Sequence, residues 1–151
     1  MWKQIFKTAF IAGCLDITAA CTQAWFAKSI TPDTILKYIA SGVFGKDASA
    51  GGIGFILFGL LVHFLIAFAC TLVYFLVYPK LKLLHVNILL SSLFIAVIAW
   101  AVTTRLVVPL SKINPAPFNL TKALTAIAIL YVCIGLPVSY FAKQHFSKKE
   151  N

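Results

Sequence analysis

Charge is what this sequence has least of. Only 11% of its 151 residues are charged, and only four of those are acidic, whereas a soluble globular domain carries about 25% charge. That scarcity excludes a water-soluble globule, and the 61% share of apolar residues excludes a disordered segment. Enzyme motifs are missing too. There is no GxSxG, no HExxH and no glycine-rich phosphate loop, so nothing in the chain announces a catalytic nucleophile, a zinc site or a nucleotide cradle. The cysteines Cys14, Cys21, Cys70 and Cys133 all fall inside apolar runs, with neither a disulfide framework nor a CxxC metal spacing. The expectation is a single non-enzymatic domain over residues 1–151, with no metal and no cofactor.

What is abundant is hydrophobic length. Mean hydropathy is +0.94, and four runs, 8–27, 53–78, 86–109 and 123–142, are long enough for the roughly 20 helical residues that cross a hydrocarbon core. Helices are required, because an open sheet leaves backbone groups unpaired in lipid and the strict alternation of a barrel strand is absent. The fold class read from the sequence is therefore an all-α, polytopic membrane four-helix bundle. Proline placement agrees: Pro32, Pro79, Pro109, Pro115 and Pro117 fall between spans or at their ends, where a missing N–H does least damage. Pro137 alone lies inside a span. It deprives the Cys133 carbonyl of its helical donor, so a kink is expected there.

The net charge of +9 is spread between apolar runs instead of being gathered on one face, which argues for contact with the lipid bilayer and against nucleic acid. Lys3, Lys7, Lys80, Lys82, Lys143, Lys148 and Lys149 fall on the side of the termini, and Lys28, Lys37, Lys46, Lys112 and Lys122 on the other. The positive-inside rule then places both termini in the cytoplasm. Boundary aromatics fit: Trp2, Tyr78 and Tyr140 on one side, Trp25 and Tyr38 on the other.

Between the first two spans, Thr31-Pro32-Asp33 reads as a helix start, with a hydroxyl at the N-cap, proline at the first position and an acid in the first turn. The following residues put Ile35, Leu36, Ile39 and Val43 on one face and Asp33, Lys37 and Ser41 nearer the other. A short amphipathic helix over 32–44 is expected, either in the outer interface as a cap or as a re-entrant segment.

Several strings resemble a family of small bacterial inner-membrane proteins of unknown function: Leu15-Asp16-Ile17-Thr18-Ala19-Ala20, Tyr38-Ile39-Ala40-Ser41-Gly42-Val43-Phe44-Gly45-Lys46, Gly59-Leu60-Leu61-Val62-His63-Phe64, Tyr78-Pro79, Val107-Val108-Pro109-Leu110-Ser111 and Gly135-Leu136-Pro137. The resemblance spans nearly the whole chain, with the string from Tyr38 to Lys46 its most specific part. It implies a four-helix architecture in a bacterial cytoplasmic membrane and carries no activity. Tyr131 stands at or beside a place where such sequences carry a histidine, which puts any imidazole chemistry there in doubt.

Ionisable groups inside spans are the candidates for function, since Asp or Arg near a helix centre costs roughly 2.5 to 3.5 kcal/mol on insertion scales. At about 1.5 Å of rise per residue, Asp16, His63 and Tyr131 approach one mid-membrane layer. Gln23 extends the polar face of Asp16, and Arg105 sits about one turn inside the end of the third span, placed to attract anions or to snorkel. Gly13 and Gly59 share helix faces with Asp16 and His63 and permit close helix approach.

Two readings of this layer remain open, a proton relay built on Asp16 and His63 and a network that only fixes helix register. The functional expectation is a small proton- or solute-conducting component acting as an oligomer. Small-residue pairs at Ala9/Gly13, Ala20/Ala24 and Ser92/Ala96 would serve its association. The alternatives are an accessory or assembly subunit of a membrane complex, or a haem- or quinone-binding redox anchor through His63.

Overall fold

The structure, a computed structural model, describes residues 1–112 and 117–147; Pro115, Lys148 and Lys149 lie outside the described residues. Among these the fold is helical, with no strand. Its principal helices are α1 (Trp2–Lys28), α2 (Pro32–Phe44), α3 (Ile53–Lys80), α4 (Ile88–Leu110) and α5 (Leu120–Ser147). All but α2 are long and apolar enough to cross a membrane. Short helical turns at Lys46–Ala50 and Leu83–Val86 join them.

The helices outrun the apolar runs that announce them, and local caps explain where they stop. Lys3 and Lys7 end the first apolar run but remain helical, so α1 begins at Trp2 instead of residue 8. It closes in a Schellman motif: Ser29 adopts a left-handed φ of 51°, with Ser29 N–H on the Trp25 carbonyl at 2.8 Å and Ile30 N–H on that of Ala24 at 3.3 Å. Asn87 caps α4 by accepting from Leu89 N at 2.8 Å, and Asn119 caps α5 by accepting from Lys122 N at 3.0 Å. These caps move the third span's start from 86 to 88 and the fourth's from 123 to 120. α2 runs over 32–44 as expected, although the Thr31 hydroxyl bonds Thr34 Oγ1 at 2.9 Å and no backbone N–H.

Two wide π turns break the long helices, at Thr103–Val107 in α4 and Tyr131–Gly135 in α5. Each is followed by one residue and then a proline, Pro109 or Pro137. A helical proline has no N–H for the carbonyl four residues back. The chain responds by widening: Val108 N–H reaches Thr103 O and Leu136 N–H reaches Tyr131 O, each across five residues. Pro109 thus stands at the end of α4 as expected, immediately before its last residue, Leu110.

α1 lies between α3 and α5, α4 packs on α5, and α2 packs on α3. Glycines set the closest approaches. A Cβ on Gly59 would stand 1.9 Å from the Leu36 carbonyl oxygen, and one on Gly135 would stand 2.5 Å from that of Ser92; only a residue without a side chain lets backbone meet backbone in this way. Gly59 therefore joins α3 to α2. The apolar core gathers toward the end that holds the termini, around Ile5, Tyr74, Phe75, Tyr78, Ile134 and Val138. Ala9 and Gly13 on α1 and Ser92 and Ala96 on α4 are buried within the chain. Those two small-residue faces, expected to serve association with other copies, are consumed by packing inside one copy; Ala20 and Ala24 stay half-buried.

Candidate intramembrane polar site

Asp16 and His63 come together. Gly13, one turn before Asp16 on α1, has no side chain to hold α3 away, and the His63 imidazole enters the gap. Its Nε2 donates to the Gly13 carbonyl oxygen at 3.0 Å and stands 4.0 Å from Asp16 Oδ2. The first contact is a hydrogen bond; the second is an electrostatic contact beyond hydrogen-bond length. His63 keeps 12% of its side-chain surface and Asp16 20%, so the pair is largely enclosed in an otherwise apolar stretch. Phe64 closes it on one side, with its ring edge to the His63 imidazole at 5.5 Å and stacked on Phe10 at 5.6 Å. A Cβ on Gly13 would lie 2.8 Å from the Phe64 ring, so the same glycine admits both the imidazole and the ring beside it.

The other sequence candidates lie elsewhere. Tyr131 opens the π turn of α5 and lines a shallow groove with Leu89, Leu93 and Ile127; among the described residues no hydrogen bond joins it to the pair. Gln23 is exposed on α1. Arg105 lies in the π turn of α4 and lines a cleft at the end of the molecule away from the termini. Pro137 fixes the π turn of α5 and touches neither Asp16 nor His63 among the described contacts. Equal depth along a helix, the basis for grouping Tyr131 with Asp16 and His63, says nothing about the direction a side chain takes around the helix.

A second polar cluster had no counterpart in the sequence reading. The Tyr74 hydroxyl bonds Ser91 Oγ and, at 2.9 Å, Ser139 Oγ, and the two serines meet at 3.3 Å. All three are at most 4% exposed, and they tie α3, α4 and α5 together at the inner end of the core. Single hydroxyls in apolar runs were the available signal, but nothing in their spacing says that three distant ones converge. Beyond them His85 donates from Nε2 to the Tyr78 carbonyl at 2.8 Å and stacks on the Tyr78 ring at 4.6 Å. His63 is fifteen residues before Tyr78 on α3, about 22 Å along the helix, so His63 and His85 of one chain cannot share a haem.

Among the described residues no group of three or more His, Cys, Asp or Glu side chains could hold a metal ion. Four long apolar helices, with Leu57, Leu61 and Leu65 along one face of α3 exposed at 60%, 55% and 57%, are those of a multi-pass α-helical membrane protein, because a continuous apolar face of that length needs lipid in place of water. No protein-family model, no curated protein and no solved structure matches the chain, so the resemblance carried by strings such as Tyr38 to Lys46 stands on those residues alone.

Proposed function

We propose that the protein is a four-helix bundle of a bacterial cytoplasmic membrane, with both termini in the cytoplasm and α2 in the outer interface, that conducts protons or a small proton-coupled solute. A single observation supports this reading: the approach of Asp16 and His63 to 4.0 Å inside an apolar layer. A carboxylate beside an imidazole holds one proton in two ways, as carboxylate with imidazolium or as carboxylic acid with neutral imidazole. Nε2, the ring nitrogen that approaches Asp16, keeps its proton on the Gly13 carbonyl, so Nδ1 gains and gives up the mobile proton while the Asp16 carboxylate stabilises the imidazolium. A proton taken up at Nδ1 from one side and released from Nδ1 to the other leaves the pair unchanged after each cycle. Four helices enclose little space for a pathway, so several copies act together, joined by faces other than Ala9/Gly13 and Ser92/Ala96.

The test is proton flux into liposomes holding the purified protein and a pH-sensitive dye, with a potassium-diffusion potential as driving force. Asp16→Asn and His63→Ala are expected to lower flux at least tenfold with helix content intact. His63→Gln keeps a donor for the Gly13 carbonyl and cannot titrate, so it separates the two readings of the layer. Full flux in His63→Gln, or in Asp16→Asn, removes the relay and leaves a pair that only sets helix register.

A further inference from the structure

At the end of the molecule away from the termini, α2, the π turn of α4 and the start of α5 enclose a cleft of about 500 Å³. Its lining joins two kinds of chemistry. Arg105 and Lys122 bring positive charge, Tyr38 and Asn119 bring neutral polar groups, and Trp100 and Phe118 belong to an apolar wall. No carboxylate is among its described lining residues. Three acids are placed in the structure: Asp16 sits by His63, Asp33 by Lys37 at 3.8 Å, and Asp47 in the Lys46–Ala50 turn makes no ion pair, so neither Arg105 nor Lys122 has an ion-pair partner among the described residues.

Each part of the fold contributes to this arrangement. The π turn that Pro109 imposes puts Thr104 and Arg105 in the lining, and the Thr104 hydroxyl is already spent on the Trp100 carbonyl at 2.7 Å. Lys112 N–H donates to the Gly42 carbonyl at 2.9 Å, which ties the chain leaving α4 to α2, the helix that contributes Tyr38 to the lining. Two cations in one cleft lining, without a carboxylate partner among the described residues, are open to an anion. A guanidinium offers forked donors that match phosphate oxygens, and an ammonium adds a point charge.

We infer that this cleft binds a phosphate group carried on an apolar body, with Arg105 and Lys122 on the phosphate oxygens and Trp100 and Phe118 against the apolar part. The site is independent of the Asp16–His63 pair and stands or falls without it. A phospholipid headgroup and a free phosphate compound share the recognised chemistry, and the measurement separates them.

Calorimetric titration of the full chain in a non-ionic detergent with short-chain phosphatidic acid, short-chain phosphatidylcholine and inorganic phosphate tests the assignment. Phosphatidic acid is expected to bind, and Arg105→Gln and Lys122→Gln each to weaken it at least tenfold, while Lys28→Gln, at the end of α1 and outside the lining, leaves it unchanged. Both substituted side chains are exposed, and an unchanged melting temperature confirms that the variants fold. Competition by inorganic phosphate at similar concentration assigns the site to soluble phosphate compounds; its failure to compete assigns the site to a lipid. Phosphatidic acid binding no more tightly than phosphatidylcholine, or equally well to both variants, overturns the inference.

Discussion

Glycine decides contacts here that larger residues could not. Gly52 caps the start of α3 and Gly59 lies inside it, and a Cβ at Gly59 would meet the Leu36 carbonyl at 1.9 Å, whereas one at Gly52 would meet nothing within 4 Å. Gly59→Ala is therefore expected to push α2 off α3 and cost about 1 to 3 kcal/mol, the range for overpacking a close contact, while Gly52→Ala is neutral within about 0.5 kcal/mol. Equilibrium unfolding in mixed micelles reads both; equal stabilities would mean that α2 yields without loss. The sequence showed that Gly59 lies on the His63 face and that it permits close approach. It did not show that the partner is α2, because a glycine records that something comes near and not what.

At the scale of the element, α2 shows how far local rules reach. Pro32 and Asp33 announce its start, and it ends at Gly45, where φ is 71° and the Gly45 N–H donates to the Ser41 carbonyl at 2.8 Å. The Asp33 carboxyl is held below its ordinary 3.8 by the Thr31 hydroxyl first and by Lys37 among the further causes. A carboxyl with a depressed folded value adds stability above its unfolded value, and that stability disappears as pH falls through the folded one. Protection of the first turn of α2 against hydrogen exchange, taken relative to the intrinsic rate at each pH, is accordingly expected to fall on acidification below the ordinary carboxyl value of 3.8, and Asp33→Asn to flatten that dependence. An identical acid limb in both proteins would assign it to another group. The π turns obey a local rule as well: an X-Pro step two residues past each wide turn is visible in Val107-Val108-Pro109 and Gly135-Leu136-Pro137. Pro109 does mark a helix end, since α4 stops one residue past it at Leu110, and the wide turn before it keeps the backbone paired where an open carbonyl in lipid is costly.

For the molecule as a whole, the proposed function has α1, α3, α4 and α5 each cross the membrane, an even number that brings the two termini to one side. In a background without native cysteines, Asp47→Cys is expected to react with a membrane-impermeant maleimide added to intact cells, and Lys82→Cys and Lys143→Cys only after the membrane is opened. Reversed labelling would invert the orientation, and labelling of Lys82 and Lys143 from opposite sides would contradict four crossings. The packing order adds what no hydropathy profile contains. α3 and α4 are consecutive in sequence, but away from the Tyr74–Ser91 contact they leave between them an apolar groove of about 350 Å³ lined by Cys70, Val73, Phe94 and Ile98.

By itself the sequence determined the helical class, the four long apolar helices, the extent of α2 and the residues able to carry chemistry in an apolar layer. Those follow from composition, apolar length and start signals, which act within a few residues of each other. Only the tertiary structure decided that His63 meets the Gly13 carbonyl and Asp16 while Tyr131 turns to a leucine groove, that Ser92 and Ala96 are spent on Gly135 and its neighbours, and that Arg105 and Lys122 share one cleft. Which side chains meet depends on the rotation of each helix about its own axis. That rotation is set by the sum of weak contacts along whole helices, to which no single residue's chemistry is a guide.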